Sequence, residues 1–389
     1  MLNFDFYNPT RIAFGKGKVA EIDKLVPPEA RVLIIYGGNS AKKNGTLDEV
    51  QAALGNRVFE MFGGVEPNPT YETMMKAVAQ VKTNKLDFLL AVGGGSVIDG
   101  TKFVAAAVYT EGDPWEILLQ HGANVKKAMP YGTVLTLPAT GSEMNDGSVV
   151  SRIETSSGLQ DKLYFTSEHV FPKFSVLDPS KSFTLPPRQL ANGVVDAYTH
   201  IMEQYLTYPV GARVQDRFAE GLLQTLIEVG PKVLQNPEDY ELQANFMWVA
   251  TLALNGLIGS GVPSDWATHM IGHEITALHG LDHAQTLAII LPSMLSLRRD
   301  AKRAKLLQYA ERVWHISEGT EDARIEAAIQ NTRSFFESLN VPTRLSAYDI
   351  SADAIPAMLS QLESHGMVEL GEHKDVTLDK SREVLEASI

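Results

Sequence analysis

Two apolar runs in the first hundred residues each end in a cluster of glycines and lead into a helical pattern, an arrangement few folds can accommodate. Arg31-Val-Leu-Ile-Ile-Tyr36 runs into Gly37-Gly38-Asn39-Ser40, and Phe88-Leu-Leu-Ala-Val92 into Gly93-Gly94-Gly95-Ser96. Uninterrupted β-branched and apolar runs of this kind read as strands covered on both faces, which means parallel sheet. Between them the pattern predicts a polar helix near Leu47 to Leu54, a strand near Arg57 to Phe62 and an amphipathic helix from Thr70 to Lys85. Alternating strand and helix requires right-handed crossovers and gives a doubly wound, Rossmann-like α/β sheet. Tyr131 to Leu137 and Phe174 to Leu177 read as further strands, and Asn3 to Phe14 as a pair of edge strands able to pair with a second subunit.

Around Asp178-Pro179 to Pro186-Pro187 the strands stop and long helical patterns take over, broken at Asn236-Pro237, Gly261-Val-Pro263, Gly280, Gly319 and Pro342. A chain of 389 residues is too long for one ordinary core. The change of texture places the boundary so that 1–183 is an α/β domain and 184–389 an all-helical one. A net charge of −13 offers no basic stripe for nucleic acid. Without cysteine there is no disulfide framework, no thiolate metal site and no cysteine nucleophile, so a bound metal must use nitrogen and oxygen donors. No apolar run reaches the length of a membrane span and the start lacks a signal-peptide pattern, which predicts a soluble cytoplasmic protein.

A glycine run between a buried strand and a helix lets backbone N–H groups approach a phosphate, and the helix N-terminus adds about half a positive charge. Gly93-Gly94-Gly95-Ser96-Val-Ile98-Asp99-Gly-Thr-Lys102 has that context, although Ile98 stands where a Rossmann fingerprint has its third glycine and the Walker ending is missing. The plainer alternative is a tight turn that needs positive φ. Thr136-Leu-Pro-Ala-Thr140-Gly141-Ser142-Glu143-Met-Asn145 is a third polar turn after a strand. Three such turns on one sheet edge suit an extended dinucleotide.

The helical half holds a second concentration of chemistry. Four of the ten histidines, His269, His273, His279 and His283, lie between Val262 and Pro292. Trp266, Met270, Ile271, Ile275 and Leu278 recur at helical spacing, so His269 and His273 project from neighbouring points of one face. Gly280 stops that helix and leaves His283 at the entrance of the next. Upstream, Asp196 and His200 stand four apart in a helix from about Arg188 to Leu206. Each pair alone could be a helix-surface hydrogen bond or a satisfied core histidine. Two pairs in otherwise apolar helices point to a metal, because carboxylate and imidazole are costly to bury unless paired or coordinated.

With these motifs the chain resembles the iron-dependent (group III) alcohol dehydrogenases from end to end, and most closely their NADPH-dependent aldehyde reductase or butanol dehydrogenase branch. The resemblance rests on Gly93 to Lys102, Thr136 to Glu143, Asp196-Ala-Tyr-Thr-His200, and His269 with His283 and Pro292 beyond. It implies a nucleotide-binding α/β domain, a metal-binding helical domain and an active site in the cleft between them, in a homodimer. By motif it makes Asp196, His200, His269 and His283 the metal ligands, with His273 lining the site. It implies cofactor contacts from Asn68, Gly94, Gly95, Ser96, Asp99, Thr136, Thr140, Ser142, Lys162 and Thr184, and places Asp99 and Asn145 near nicotinamide and substrate. Many NAD-using members carry an Asp at the end of the first strand, where this chain has Gly37. Gly37, Gly38, Asn39 and Ser40, with Lys42 or Lys43 adding charge, therefore suit the 2′-phosphate of NADP(H). His283-Ala284 replaces the usual His-Gly.

The implied reaction is reduction of a short-chain aldehyde such as butanal, or oxidation of the primary alcohol, with a divalent ion polarising the oxygen and hydride passing to or from the nicotinamide. His273 is the candidate proton relay. Imidazole with carboxylate suits zinc and iron alike; the branch suggests zinc and the family label iron. Three rivals remain open. A glycerol dehydrogenase or dehydroquinate-synthase-like lyase would want a cluster of Lys and Arg near the metal helices, and none is seen. A metallohydrolase would want a Glu in a His-Glu-x-x-His setting, but Gly272 precedes His273. A non-catalytic metal or nucleotide sensor could use the same turns.

Overall fold

The computed structural model describes residues 1–153 and 160–389. The chain forms two compact units, each assembled from separate stretches. Tyr7–Leu185 with Asn236–Thr251 makes a sheet unit, and Met1–Phe6, Pro186–Gln235 and Leu252–Ile389 make a helical unit. A single cut at 183/184 would therefore leave two excursions, Met1–Phe6 and Asn236–Thr251, on the wrong side.

The sheet unit is built on six strands. They are β1 (Arg11–Phe14), β2 (Val32–Tyr36), β3 (Phe59–Phe62), β4 (Phe88–Gly94), β5 (Tyr131–Leu137) and, after an antiparallel hairpin of β6 (Gly147–Ile153) and β7 (Gln160–Thr166), β8 (Phe174–Leu177). The spatial order is β1-β8-β5-β4-β2-β3, with every neighbouring pair parallel. The strand period distributes side chains to two cores. Leu33, Ile35, Leu89, Ala91 and Leu135 enter one core, while Val32, Ile34, Leu90, Val92 and Val134 enter the other. Burial on both faces explains why β2 and β4 are continuous apolar runs rather than alternating ones. Thr70 caps the helix Tyr71–Asn84, its hydroxyl accepting from the Thr73 amide at 3.3 Å.

At the start of the chain the structure corrects the expectation from sequence. Asn3 to Phe14 does not form two edge strands; only Arg11–Phe14 is a strand, and it pairs with β8 of its own chain. Asn8-Pro9 interrupts the run, since proline has no N–H for a ladder. Met1–Phe6 belongs to the helical unit, where Leu2 donates its amide to the Gly261 carbonyl at 2.9 Å. The β6/β7 hairpin is a second departure, because the Ser and Gly in Gly147-Ser-Val-Val-Ser-Arg-Ile mask its alternation.

In the helical unit, Pro187–Tyr205, Ala267–His279 and His283–Leu297 carry the titratable residues singled out above. Pro187 opens the first of these, where its missing N–H costs nothing. Ile271 and Ile275 pack with Ile289, Ile290, Met294, Met358 and Leu362 in one core. Gly280 ends Ala267–His279 with φ +69°, returning its amide to the Thr276 carbonyl. This unit is not purely helical: Glu369–Leu370 and Val376–Thr377 form a short antiparallel ladder. No helix among the described residues is long and apolar enough to cross a membrane.

Candidate functional site

In the sheet unit the glycine and hydroxyl turns come together because their strands are neighbours. Tyr36 pairs with Val92 and Gly94 with Leu137, so the carboxyl ends of β2, β4 and β5 lie side by side. A β-carbon on Gly95 would collide with the Thr140 hydroxyl, which is how closely the second and third turns approach. Gly95 opens the helix Gly95–Ala107, whose first turn has neither a side-chain cap nor an acidic residue, the setting in which helix N-termini favour anions. At the first turn Gly38, Asn39 and Ser40 are exposed, as are Lys42 and Lys43. Thr136 is buried at the end of β5, Asn68 is a half-buried non-glycine residue at φ 56°, and Thr184 is exposed and accepts weakly from Asn44 at 3.5 Å.

Asp99 does not cap its helix. It lies inside Gly95–Ala107, and its carboxylate accepts from the Ser142 hydroxyl at 2.5 Å and the Val149 amide at 3.0 Å. Burial pushes this carboxyl above the usual range, opposed by Lys102 and by those hydrogen bonds, with Lys162 on β7 acting more weakly. Lys102 is a residue that sequence reading quoted without assigning it a role. Its ammonium is fully buried and donates to Asn145 Oδ1 at 2.7 Å and the Gly147 carbonyl at 2.6 Å. Burial lowers its pKa to about 8, against the pull of Asp99, Asp146 and Glu143. Asp99, Lys102, Ser142 and Asn145 thus form one polar network beneath the turns. The only sequence signal for Lys102 was its place one turn after Asp99.

In the helical unit Asp196, His200 and His269 are buried, and one donor atom from each lies within 4.8 Å of the others. His283 Nε2 is 3.7 Å from Asp196 Oδ1, and His200 Nε2 is 3.6 Å from the same oxygen. The His200 and His269 rings stack at 4.8 Å, and His269 lies 5.2 Å from His283. His273, one turn along from His269, sits 5.1 Å from His283. Two features produce this convergence. Asp196 and His200 share a face by their spacing, and Gly272 permits the crossing of Ala267–His279 with His283–Leu297, since a β-carbon there would come within 2.7 Å of Thr286 Oγ1.

The donor chemistry fits a divalent cation. Burial lowers the His200 pKa to about 4, only partly offset by Asp196, so its imidazole is neutral near pH 7, as a ligand must be. His200 Nδ1 is buried with no hydrogen-bond partner among the described residues. Glu203, not singled out from sequence, shares a short hydrogen bond with His269 Nδ1 and accepts from the Thr268 amide at 2.7 Å. With Nδ1 so committed, a metal would be held through Nε2, the carboxylate–histidine arrangement common at such sites. Glu203 stands seven residues after Asp196 on the same helix face, a legible signal in hindsight. Trp266, held at φ 64°, packs its ring edge-on to His200 and His269.

A parallel sheet edged by glycine turns and a buried carboxylate–imidazole cluster define a nucleotide- and metal-using oxidoreductase. The profile described as iron-containing alcohol dehydrogenase matches residues 9–179, and that of the Fe-containing alcohol dehydrogenase family, C-terminal, matches residues 190–388. The chain belongs to the iron-containing alcohol dehydrogenase family. It is similar to the NADPH-dependent aldehyde reductase YqhD of Escherichia coli K12, 61% identical over 390 residues with 100% of both chains covered. It is also similar to the probable NADH-dependent butanol dehydrogenase 1 of Bacillus subtilis 168, 40% identical over 395 residues with 100% of both covered. The crystal structure of E. coli K-12 YqhD matches with a TM-score of 0.98 at 60% identity, covering 100% of this chain and 99% of that one.

Proposed function

We propose that this chain is a metal-dependent, NADP(H)-linked reductase of short-chain aldehydes, working reversibly on primary alcohols such as butanol. The observation that carries the reading is the convergence of Asp196, His200 and His269 on one point, with His283 alongside. When bound, a zinc or ferrous ion supplies Lewis-acid polarisation of a carbonyl oxygen, and NADPH supplies hydride.

In this reading Asp196, His200, His269 and His283 hold the ion, and one carboxylate among neutral imidazoles leaves it a net positive charge. His273 delivers the proton that the product oxygen needs. The amides of Gly94, Gly95 and Ser96 bind pyrophosphate, with Thr140 and Ser142 beside them and Thr136, Asn68 and Thr184 completing the cofactor contacts. Gly37, Gly38, Asn39 and Ser40, with Lys42 or Lys43, take the 2′-phosphate. Asp99, Asn145 and Lys162 orient the nicotinamide end. Preference for NADPH is supported by the absence of a carboxylate at 37–40 and by the name of the 61% identical relative. The proposal includes a division of labour, with the sheet unit holding the nucleotide and the helical unit the metal, and a cytoplasmic homodimer. Phe4 and Phe6, each more than 40% exposed, offer an apolar patch to a second copy.

The test is metal-dependent oxidation of NADPH with butanal. Activity should vanish on chelation and return with added metal, and His269→Ala should lose metal and activity together. Turnover by a metal-free His269→Ala protein, or none by metal-replete wild type, would overturn the reading.

A further inference from the structure

His283 is the least enclosed member of the cluster: its side chain is 24% exposed, against 5–6% for Asp196, His200 and His269. It is also the first residue of its helix, where helices fray. Something must hold it against Asp196. The structure offers two parallel rungs between the same two segments. Asn192 stands one turn ahead of Asp196 on Pro187–Tyr205, and Asp282 immediately precedes His283. Asn192 Nδ2 donates to Asp282 Oδ2 at 2.7 Å, and Arg188 Nε donates to that oxygen at 2.7 Å. The second rung is the 3.7 Å approach of His283 Nε2 to Asp196 Oδ1.

Asp282 also caps the helix: its side chain accepts from the Gln285 amide, while the Gln285 side chain accepts from the Asp282 amide at 3.0 Å. One carboxylate therefore fixes both the orientation of the helix start and its distance from the helix that bears Asp196. A cavity of about 490 Å³, lined by Arg188, Asn192, Leu281 and Gln285 among others, opens beside the tie. Water in it would compete for these groups if the tie were weakened.

We propose that Asn192 and Asp282, with Arg188, are positioning residues that set the grip of His283 on the metal; this rests on the metal-centre reading above. Asn and Ser cap helices as well as Asp does. In Asp282→Ser the shorter hydroxyl can keep the cap but does not reach Asn192 or Arg188, and the tie is lost. Asn192→Ala removes the rung from the other side. The double variant Asn192→Asp with Asp282→Asn reverses donor and acceptor and restores it.

The experiment loads the full-length protein with Co(II) alone. It reads affinity by chelator competition, the visible Co(II) absorption bands, and the Tm of the metal-free chain. Each single variant should bind Co(II) about 10–100-fold more weakly, with shifted bands and a metal-free Tm close to wild type, and the double variant should recover most of the affinity. Single variants within twofold of wild type, or a loss that the double variant leaves uncorrected, would overturn the tie while leaving the metal centre standing. Wild type that fails to bind Co(II) would overturn the centre, and the tie with it.

Discussion

Glu203 and His269 share a hydrogen bond through Nδ1 of the imidazole, and the same carboxylate accepts from the Thr268 amide at the start of the His269 helix. The ring and the helix that carries it are thus held by one group. Glu203→Gln keeps the shape but offers a single acceptor where two donors converge. Metal affinity should fall about 10–100-fold. Unfolding free energy should fall by about 1–3 kcal/mol from the unsatisfied donor. Equilibrium dialysis and denaturant titration measure the two effects, and unchanged metal binding would remove Glu203 from the site.

Gly272 is the contact between the two histidine-bearing helices. Gly272→Val would press its side chain into Thr286 and force the helices apart, costing about 1–3 kcal/mol of stability. Because His269 and His283 lie on opposite sides of that contact, metal content should drop with it. Gly272→Ala should show the same trend more weakly. A Gly272→Val protein with full stability and full metal would contradict the crossing described above.

Cofactor preference is testable at Gly38. A side chain at Gly37 would press on the Val65 carbonyl at 3.3 Å and Val97 Cγ2 at 3.4 Å, whereas at Gly38 it would meet no atom within 4 Å. Gly38→Asp therefore adds charge without strain and should move the NADPH/NADH ratio of kcat/KM towards NADH by about tenfold, roughly 1.4 kcal/mol. An unchanged ratio would mean that the 2′-phosphate binds elsewhere.

Lys102 makes stability depend on alkaline pH. Its folded-state pKa is about 8, against an ordinary 10.5, so between those values the unfolded chain holds a proton that the folded chain has released. Stability should therefore rise with pH across that window, opposite to the usual alkaline loss. The stability difference between wild type and Lys102→Met should shift in favour of wild type by on the order of 3 kcal/mol from pH 8 to 10.5. A difference that stays flat over that range would show that Lys102 titrates normally.

What the sequence disclosed follows from which forces are local. β2 and β4 announce themselves because burial on both faces makes a strand continuously apolar, and Gly280 because only a residue tolerant of positive φ ends a helix that way. His269 and His273 were legible as neighbours on one helix face. Glu203 and Lys102 offered only a helical spacing from Asp196 and Asp99, since the partners that define their roles lie 66 and 43 positions away. The Asn192–Asp282 tie spans 90 positions and was silent. The first residues misled for the opposite reason: a local alternation was real in Asn3 to Phe14, but Pro9 and the docking of Leu2 on Gly261 overrode it.

The excursion of Asn236–Thr251 into the sheet unit bears on any attempt to build chimeras from this scaffold. Thr251 donates its hydroxyl to Oε1 of the fully buried Glu143 at 2.5 Å, and Gln243 accepts from Ser182 at 2.9 Å. A module excised as residues 1–185 would leave Glu143 without Thr251 and Ser182 without Gln243. Grafts exchanging the front half between relatives should succeed only when the 236–251 segment travels with it.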